Sequence, residues 1–141
     1  MLKLAQANRI IEGVFAKGSD LGLAPLTATV LNSAGTPISF QSQDGSTALR
    51  HKIAHGKAFG AVGLGIGSRA IFNRAQEQPY FVDAVAAASG GALIPVPGGV
   101  LVRDVAGNLL GAVGVTGDTS DNDEAAAIHG IEAAGLVADP G

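Results

Sequence analysis

The chain has 141 residues, of which 47% are apolar, so it is long enough for one buried core and too short for two ordinary domains; we interpret residues 1–141 as a single domain. Its formal net charge is −3 and its nine Lys and Arg are scattered, which excludes the basic face that a nucleic-acid partner requires. The chain has no cysteine, and it carries Asn8 and Arg9 where a secretion signal needs an apolar segment, so we expect a cytoplasmic protein without disulfides or membrane contacts.

The first third of the chain predicts a helix and a β-hairpin. Apolar residues at helical spacing indicate a helix from Leu4 to Leu21, which Gly22 ends. An alternating stretch from Pro25 to Leu31 and a second strand from Pro37 to Gln41 flank the turn Asn32–Gly35. The amide at the start of that turn can bond its own backbone, and the glycine can take the left-handed position, so the two strands are expected to pair.

The middle of the chain predicts three helical segments. Ser46 or Thr47 is expected to cap the first of them, which ends at about residues 60–63. After a glycine-rich stretch, a short helix is expected to begin near Ser68. The third segment covers residues 80–88 and follows a proline, which favours a helix start.

The last third predicts three strands and a helix. One strand is expected over residues 92–95, and a second hairpin over residues 101–115, whose turn Asp104–Gly107 repeats the chemistry of the first turn. A final helix is expected from about residue 120 to residue 137. Strands joined as hairpins and covered by helices indicate an α+β fold with a mostly antiparallel, five-stranded sheet.

Glycines interrupt the last hairpin and its approach. Gly111, Gly114 and Gly117 recur every third residue, a spacing that fits neither a strand nor a helix. Glycines within a strand mark a bulge or a close approach of another backbone or a ligand, so this stretch is a candidate pocket wall. Gly98 and Gly99 expose backbone nearby and are candidate ligand contacts, although a simple turn would require the same residues.

Several sequence blocks together resemble one protein family. In the C-terminal half the blocks are IPVPGGV (94–100), LGAVGVTG (110–117), SDNDE (120–124) and HGI (129–131). Upstream they are AQA (5–7), DG (44–45) and Ile53-Ala54 with Lys57-Ala58. Over nearly its whole length the chain is similar to the GlcG/HbpS-like family, often called haem-degrading. The resemblance implies a profilin-like fold, homo-oligomerisation and, in some members, binding of haem or a corrinoid.

A pair of histidines lies one helical turn apart in the middle of the chain. His51 and His55 have the spacing of a zinc protease motif, but Lys52 stands where that chemistry needs a glutamate base, so we exclude a metalloprotease. The two imidazoles can still supply an axial ligand to haem iron or hold a divalent metal. The alternative is a surface or interfacial pair without a ligand, because neither histidine belongs to the matched blocks.

Lys57 and the acidic run before the last helix are the candidate catalytic groups. A desolvated Lys57 can act as a base or an anion anchor, whereas a lysine extended along the helix surface has neither role. Asp121 and Glu124 have the spacing of a capping box, and Asp123 or Glu124 is a candidate general base or metal carboxylate.

Thr116 and Gly117 stand immediately before the acidic run. Together with the first backbone N–H groups of the last helix, they can cradle a ligand carboxylate.

These residues support three hypotheses of different classes. The first is a small homo-oligomeric protein that binds haem or a similar tetrapyrrole, with His51 or His55 as the iron ligand. The second is a catabolic enzyme, a lyase, isomerase or hydratase of an organic acid, in which a pocket lined by Gly98-Gly99 and the start of the last helix holds the substrate while Lys57 or Glu124 moves a proton. The third is an accessory protein whose subunit contacts are its function.

Overall fold

The computed structural model describes residues 1–141 and contains five helices and one five-stranded sheet. The helices are α1 (Leu4–Asp20), α2 (Arg50–Leu64), α3 (Ser68–Glu77), α4 (Pro79–Ala88) and α5 (Ser120–Ala133). The strands are β1 (Thr27–Asn32), β2 (Pro37–Ser42), β3 (Gly99–Arg103), β4 (Leu109–Thr116) and β5 (Val137–Asp139). Their order is β2-β1-β4-β3-β5, and every neighbouring pair is antiparallel. The predicted α+β fold with a five-stranded antiparallel sheet is confirmed.

Helices cover both faces of the sheet. On one face α1 and α5 pack against alternate residues of the central strands, and each fully buried Val, Leu or Ile side chain there contributes about 1.5–3 kcal/mol to folding. This larger cluster consists of Leu2, Ala7, Ile10, Ile11, Val14, Leu26, Ala28, Val30, Val100, Val102, Val113, Val115, Ala126, Ala127 and Ile131. On the other face α2 buries Leu31, Ala58, Ala61, Leu101 and Ala112. None of the helices is both long and apolar enough to span a membrane.

Close backbone contacts explain the two glycines of β4 and Gly117, which follows the strand. A Cβ built on Gly114 would overlap the carbonyl oxygen of Ala54 in α2, and one on Gly111 would overlap the carbonyl oxygen of Leu31 in β1. A Cβ on Gly117 would overlap the carbonyl oxygen of Pro25. The predicted close approach is therefore confirmed, and the approaching group at each of these glycines is main chain of the same molecule.

The strand predicted at residues 92–95 is wrong. Pro95 and Pro97 have no N–H to donate to a sheet ladder, and the segment crosses α2 instead, where the N–H of Ile94 donates to the Gly56 carbonyl at 3.1 Å. The fifth strand is β5, which pairs with β3 and forms the edge of the sheet opposite β2. The last helix accordingly ends at Ala133, short of the predicted residue 137, and Gly135 follows it with a φ of 77°.

Two predicted helix caps are also wrong. Neither Ser46 nor Thr47 caps α2: its N-cap is Leu49, which makes no side-chain capping bond. At α5 the cap is Thr119, whose hydroxyl accepts from the N–H of Asn122 at 3.3 Å. The predicted capping box of Asp121 and Glu124 does not form, because Asp121 lies inside the first turn of α5; both carboxylates bind Arg69 of α3 instead.

Candidate functional site

The candidate catalytic lysine lies inside the protein, paired with a candidate acid. Lys57 Nζ is 3.1 Å from Asp123 Oδ2 and donates to the carbonyl oxygen of Val115 at 2.9 Å. The two charged side chains are only 1% and 2% exposed. The alternative of a lysine extended along the helix surface is therefore wrong.

The glycine pair at the start of β3 accommodates this lysine. A Cβ built on Gly98 would lie 2.9 Å from Lys57 Nζ, and one on Gly99 would overlap the Lys57 carbonyl. The N–H of Gly99 donates to the hydroxyl of Ser68 at 2.7 Å. Close packing of the chain against itself is thus sufficient to explain why both positions lack a side chain.

Burial shifts the pKa values of both partners against ionisation. Burial lowers the pKa of Lys57, and the neighbouring Asp123 carboxylate opposes that shift only in part. Burial likewise raises the pKa of Asp123, against the attraction of Lys57. Desolvation outweighs attraction for each group, so the surrounding fold must hold the pair in place.

The start of α5 is occupied by groups of the same chain. Asp123 Oδ1 accepts from the N–H of Asp118 at 3.0 Å, and Asp118 in turn accepts from the N–H of Ala24 at 3.0 Å. The side-chain amide of Asn122 contributes most to lowering the pKa of Asp118. Thr116, which precedes Gly117, is buried and accepts from Arg50 at 2.9 Å. Of the groups predicted to cradle a ligand carboxylate, the Thr116 hydroxyl therefore binds Arg50, and the N–H of Asn122 in the first turn of α5 binds the Thr119 hydroxyl. Gly117 packs against the backbone of Pro25.

Glu124 forms an ion pair with Arg69. Arg69 Nε donates to both Glu124 oxygens, at 2.9 and 3.1 Å, and its other nitrogen binds Asp121. The hydrogen bond to Glu124 contributes most to raising the pKa of Arg69, so the guanidinium stays charged. The cluster ties the start of α3 to the start of α5, and Glu124 does not contact Lys57.

The main cavity lies elsewhere, between α2 and the β2 edge of the sheet. It has a volume of about 860 Å³ and mostly apolar walls. Its lining residues are Thr29, Pro37, Phe40, Leu49, His51, Lys52, Ile53, His55, Gly90, Gly91, Ala92 and Ile94. The predicted site residues are therefore not brought together: the two histidines lie at this cavity, Lys57 and Asp123 form the buried pair, and Glu124 binds Arg69. Neither this cavity nor a smaller one between α2 and α4 includes Gly98, Gly99 or Lys57.

A register shift between β1 and β2 shapes the cavity. Thr29 pairs with Phe40, and Leu31 pairs with Pro37 across an irregularity in the ladder. In a regular strand, residues three positions apart lie on opposite faces of the sheet. Because of the irregularity, Pro37 and Phe40 both lie on the face that α2 covers. Neither Pro37 nor Phe40 was predicted from the sequence as a site residue. The available signal was Phe40, a large apolar side chain in a strand at the edge of the sheet.

The two histidines are presented differently on the cavity wall. His51 is exposed, whereas His55 is half-buried and stacked on Phe59, with 5.4 Å between ring centroids and 19° between the ring planes. No group of three or more His, Cys, Asp or Glu residues is arranged to hold a metal ion. A divalent metal would therefore have only this pair as protein ligands.

Comparison with known proteins gives a consistent result. The sequence model of a family described as haem degrading protein HbpS-like matches residues 2–132. A structure of PduOC in complex with haem has a TM-score of 0.85 at 18% identity, with 96% of each chain covered. The ORFY protein of Klebsiella pneumoniae has a TM-score of 0.84 at 22% identity, covering 95% of this chain and 90% of that one. A double mutant of HbpS from Streptomyces reticuli has a TM-score of 0.79 at 21% identity, covering 93% and 85%. No curated protein sequence matches this chain.

Proposed function

Because this chain belongs to the HbpS-like family of haem-degrading proteins, we propose that it binds haem in the cavity between α2 and β2. The carrying observation is that one large apolar cavity has two imidazoles on its wall. Bound haem would supply an iron centre that can take an imidazole ligand and exchange electrons. The chain would supply that imidazole from His51 or His55.

The residues of the cavity fit such a ligand. Its volume lies within the range of cofactor sites, roughly 300–1,000 Å³. Phe40, Ile53 and Ile94 offer apolar surface to a flat macrocycle, and the histidines of α2 stand one turn apart on the same wall. Phe40 is 48% exposed and Leu49 63% exposed, so apolar surface remains at this site for a ligand to cover.

Hemin titration tests the proposal. We expect a saturable absorbance band with wild-type protein, and a shifted or weakened band when the ligating residue is removed in His51→Ala or His55→Ala. His129→Ala is the matched control, because His129 lies on α5, on the opposite face of the sheet. Weak binding that never saturates, or an unchanged band after both α2 histidines are replaced together, would contradict the proposal.

The catabolic-enzyme hypothesis remains a prediction, and it requires that a substrate can reach the buried lysine. Its substrate must reach Lys57, which is 1% exposed in the single chain and already paired with Asp123. The structure offers no specific observation in its favour, so haem binding is the function we retain.

We also propose that the protein is a cytoplasmic homo-oligomer. Support comes from its exposed large apolar side chains, which identical subunits could cover on association. Outside the proposed haem cavity they are Met1, Leu4, Leu21, Tyr80, Val105 and Val137. Sedimentation is expected to give a mass that is a multiple of the chain mass, and cell fractionation is expected to recover the protein with cytoplasmic markers. A monomer at micromolar concentration would contradict the assembly.

A further inference from the structure

The main cavity is lined by basic residues and by no acidic one. We propose that this cavity recognises its ligand as a carboxylate anion, with Lys52 as the anchor, so that a tetrapyrrole dicarboxylate binds even without iron. The choice of a tetrapyrrole rests on the proposed function, whereas the recognition of the anion rests on the cavity itself.

Three of the twelve lining residues can carry a positive charge, and none can carry a negative one. The three are His51, Lys52 and His55. Counted in the same way, the whole chain is balanced, with 12 Asp and Glu against 12 Lys, Arg and His. Acids thus make up half of these residues in the chain and none of those that line the cavity, which favours an anionic ligand.

The first turn of α2 supports the same conclusion. Arg50, His51 and Lys52 are its first three residues, the turn contains no acid, and Leu49 provides no side-chain cap. Positive charge is unfavourable at a helix N-terminus, where the backbone already presents a partial positive charge. Helices α1, α3 and α4 also lack an acid in the first turn and a side-chain capping bond from the N-cap residue, and only α5 has both. The feature particular to α2 is its three consecutive basic side chains. Sequences depart from such local preferences mainly at functional sites, and an anion bound beside α2 would reverse the unfavourable interaction.

The distribution of polarity defines the ligand class. Phe40, Ile53 and Ile94 provide apolar walls, and the exposed Lys52 reaches from the helix start with three donors on a flexible stem. An apolar body with peripheral acid groups matches both features. Protoporphyrin IX has this form, with a flat apolar ring and two carboxylates.

Metal-free protoporphyrin IX is the direct probe because it removes iron ligation from the measurement. In a fluorescence titration, Lys52→Gln is expected to weaken binding about fivefold, the upper end of the contribution of one exposed ion pair. Lys52→Arg keeps the charge and is expected to bind as the wild type does. Arg9→Gln removes an exposed cation from α1, on the other face of the sheet, and is expected to change nothing. Added salt should narrow the difference between wild type and Lys52→Gln.

The dimethyl ester of protoporphyrin completes the experiment. Weaker binding of the ester than of the diacid is expected for wild type, with a smaller difference for Lys52→Gln. Equal binding of ester and diacid, or equal losses for Lys52→Gln and Arg9→Gln, would overturn carboxylate recognition even if hemin still gives its band. Lys52-dependent binding of the diacid without any histidine-dependent hemin band would sustain this inference and remove iron ligation. Failure of both porphyrins to bind would overturn both proposals.

Discussion

Replacing Lys57 by methionine is expected to lower the free energy of unfolding by about 3–5 kcal/mol, the usual result of removing one partner from a buried ion pair. The Asp123 carboxylate would stay in the interior with only the N–H of Asp118 as a donor, and the Val115 carbonyl would lose the Nζ that donates to it. Methionine keeps the length and apolar character of the lysine stem, so lost packing is a small part of the effect. Urea unfolding of the two proteins measures the difference.

A double-mutant cycle separates the buried charge from the lost contacts. Asp123→Asn alone leaves an ammonium group in the interior and is expected to be as destabilising as Lys57→Met. The double variant Lys57→Met/Asp123→Asn contains no buried charge, so its loss is expected to be well below the sum of the two single losses. Additive losses would show that the two groups do not interact.

The pH dependence of the single variants provides a second check. In Lys57→Met the folded-state pKa of Asp123 lies above its unfolded value, because burial is no longer opposed by the ammonium group. The folded protein then takes up a proton as the pH falls, so the loss of stability relative to wild type should become smaller as the pH falls through the folded pKa towards the unfolded one. In Asp123→Asn the folded-state pKa of Lys57 lies below its unfolded value, so the deficit should narrow as the pH rises towards the unfolded pKa. Deficits that do not vary with pH would mean that neither group remains buried and charged.

The parts of the fold that could be predicted from sequence are those fixed by local chemistry. Asn32 accepts from the N–H groups of Ala34 and Thr36, and Asp104 accepts from those of Ala106 and Asn108. Each acid or amide bonds its own turn, so the two hairpins depend on residues within four positions of one another. The family resemblance then supplied the overall fold, because its blocks extend over most of the chain.

The features that escaped prediction depend on distant partners. Strand β5 has only three residues and no alternating pattern, and it exists because β3 offers it an edge. The pairing of Lys57 with Asp123 joins positions 66 apart, so sequence could propose both groups as candidates without showing that they meet. The cavity depends on one irregularity in the β1–β2 ladder, which no pattern in the sequence marks. The two histidines were found because they share a helix, whereas Phe40 comes from another element.

Gly114→Ala is expected to destabilise the protein by about 3 kcal/mol or more, because the new methyl group would overlap backbone on the facing helix. Its closest neighbours are the carbonyl group of Ala54 and the N–H of Ala58, and neither can rotate away as a side chain would. Relief requires α2 to move off the sheet. Since α2 carries His51 and His55, the same substitution should also weaken hemin binding if the cavity is the haem site.

Gly63→Ala is the matched control for that substitution. Gly63 lies in α2, the helix that faces Gly114. It is exposed, and no other atom lies within 4 Å of the position that a Cβ would take. Replacing a helical glycine there should raise the free energy of unfolding by about 0.5–1 kcal/mol and leave hemin binding unchanged. Urea unfolding and hemin titration of both variants give the comparison. A Gly114→Ala protein as stable as wild type would show that α2 does not need this close backbone contact. A variant that is stable but no longer binds hemin would show that small shifts of α2 alone decide whether the cavity accepts its ligand.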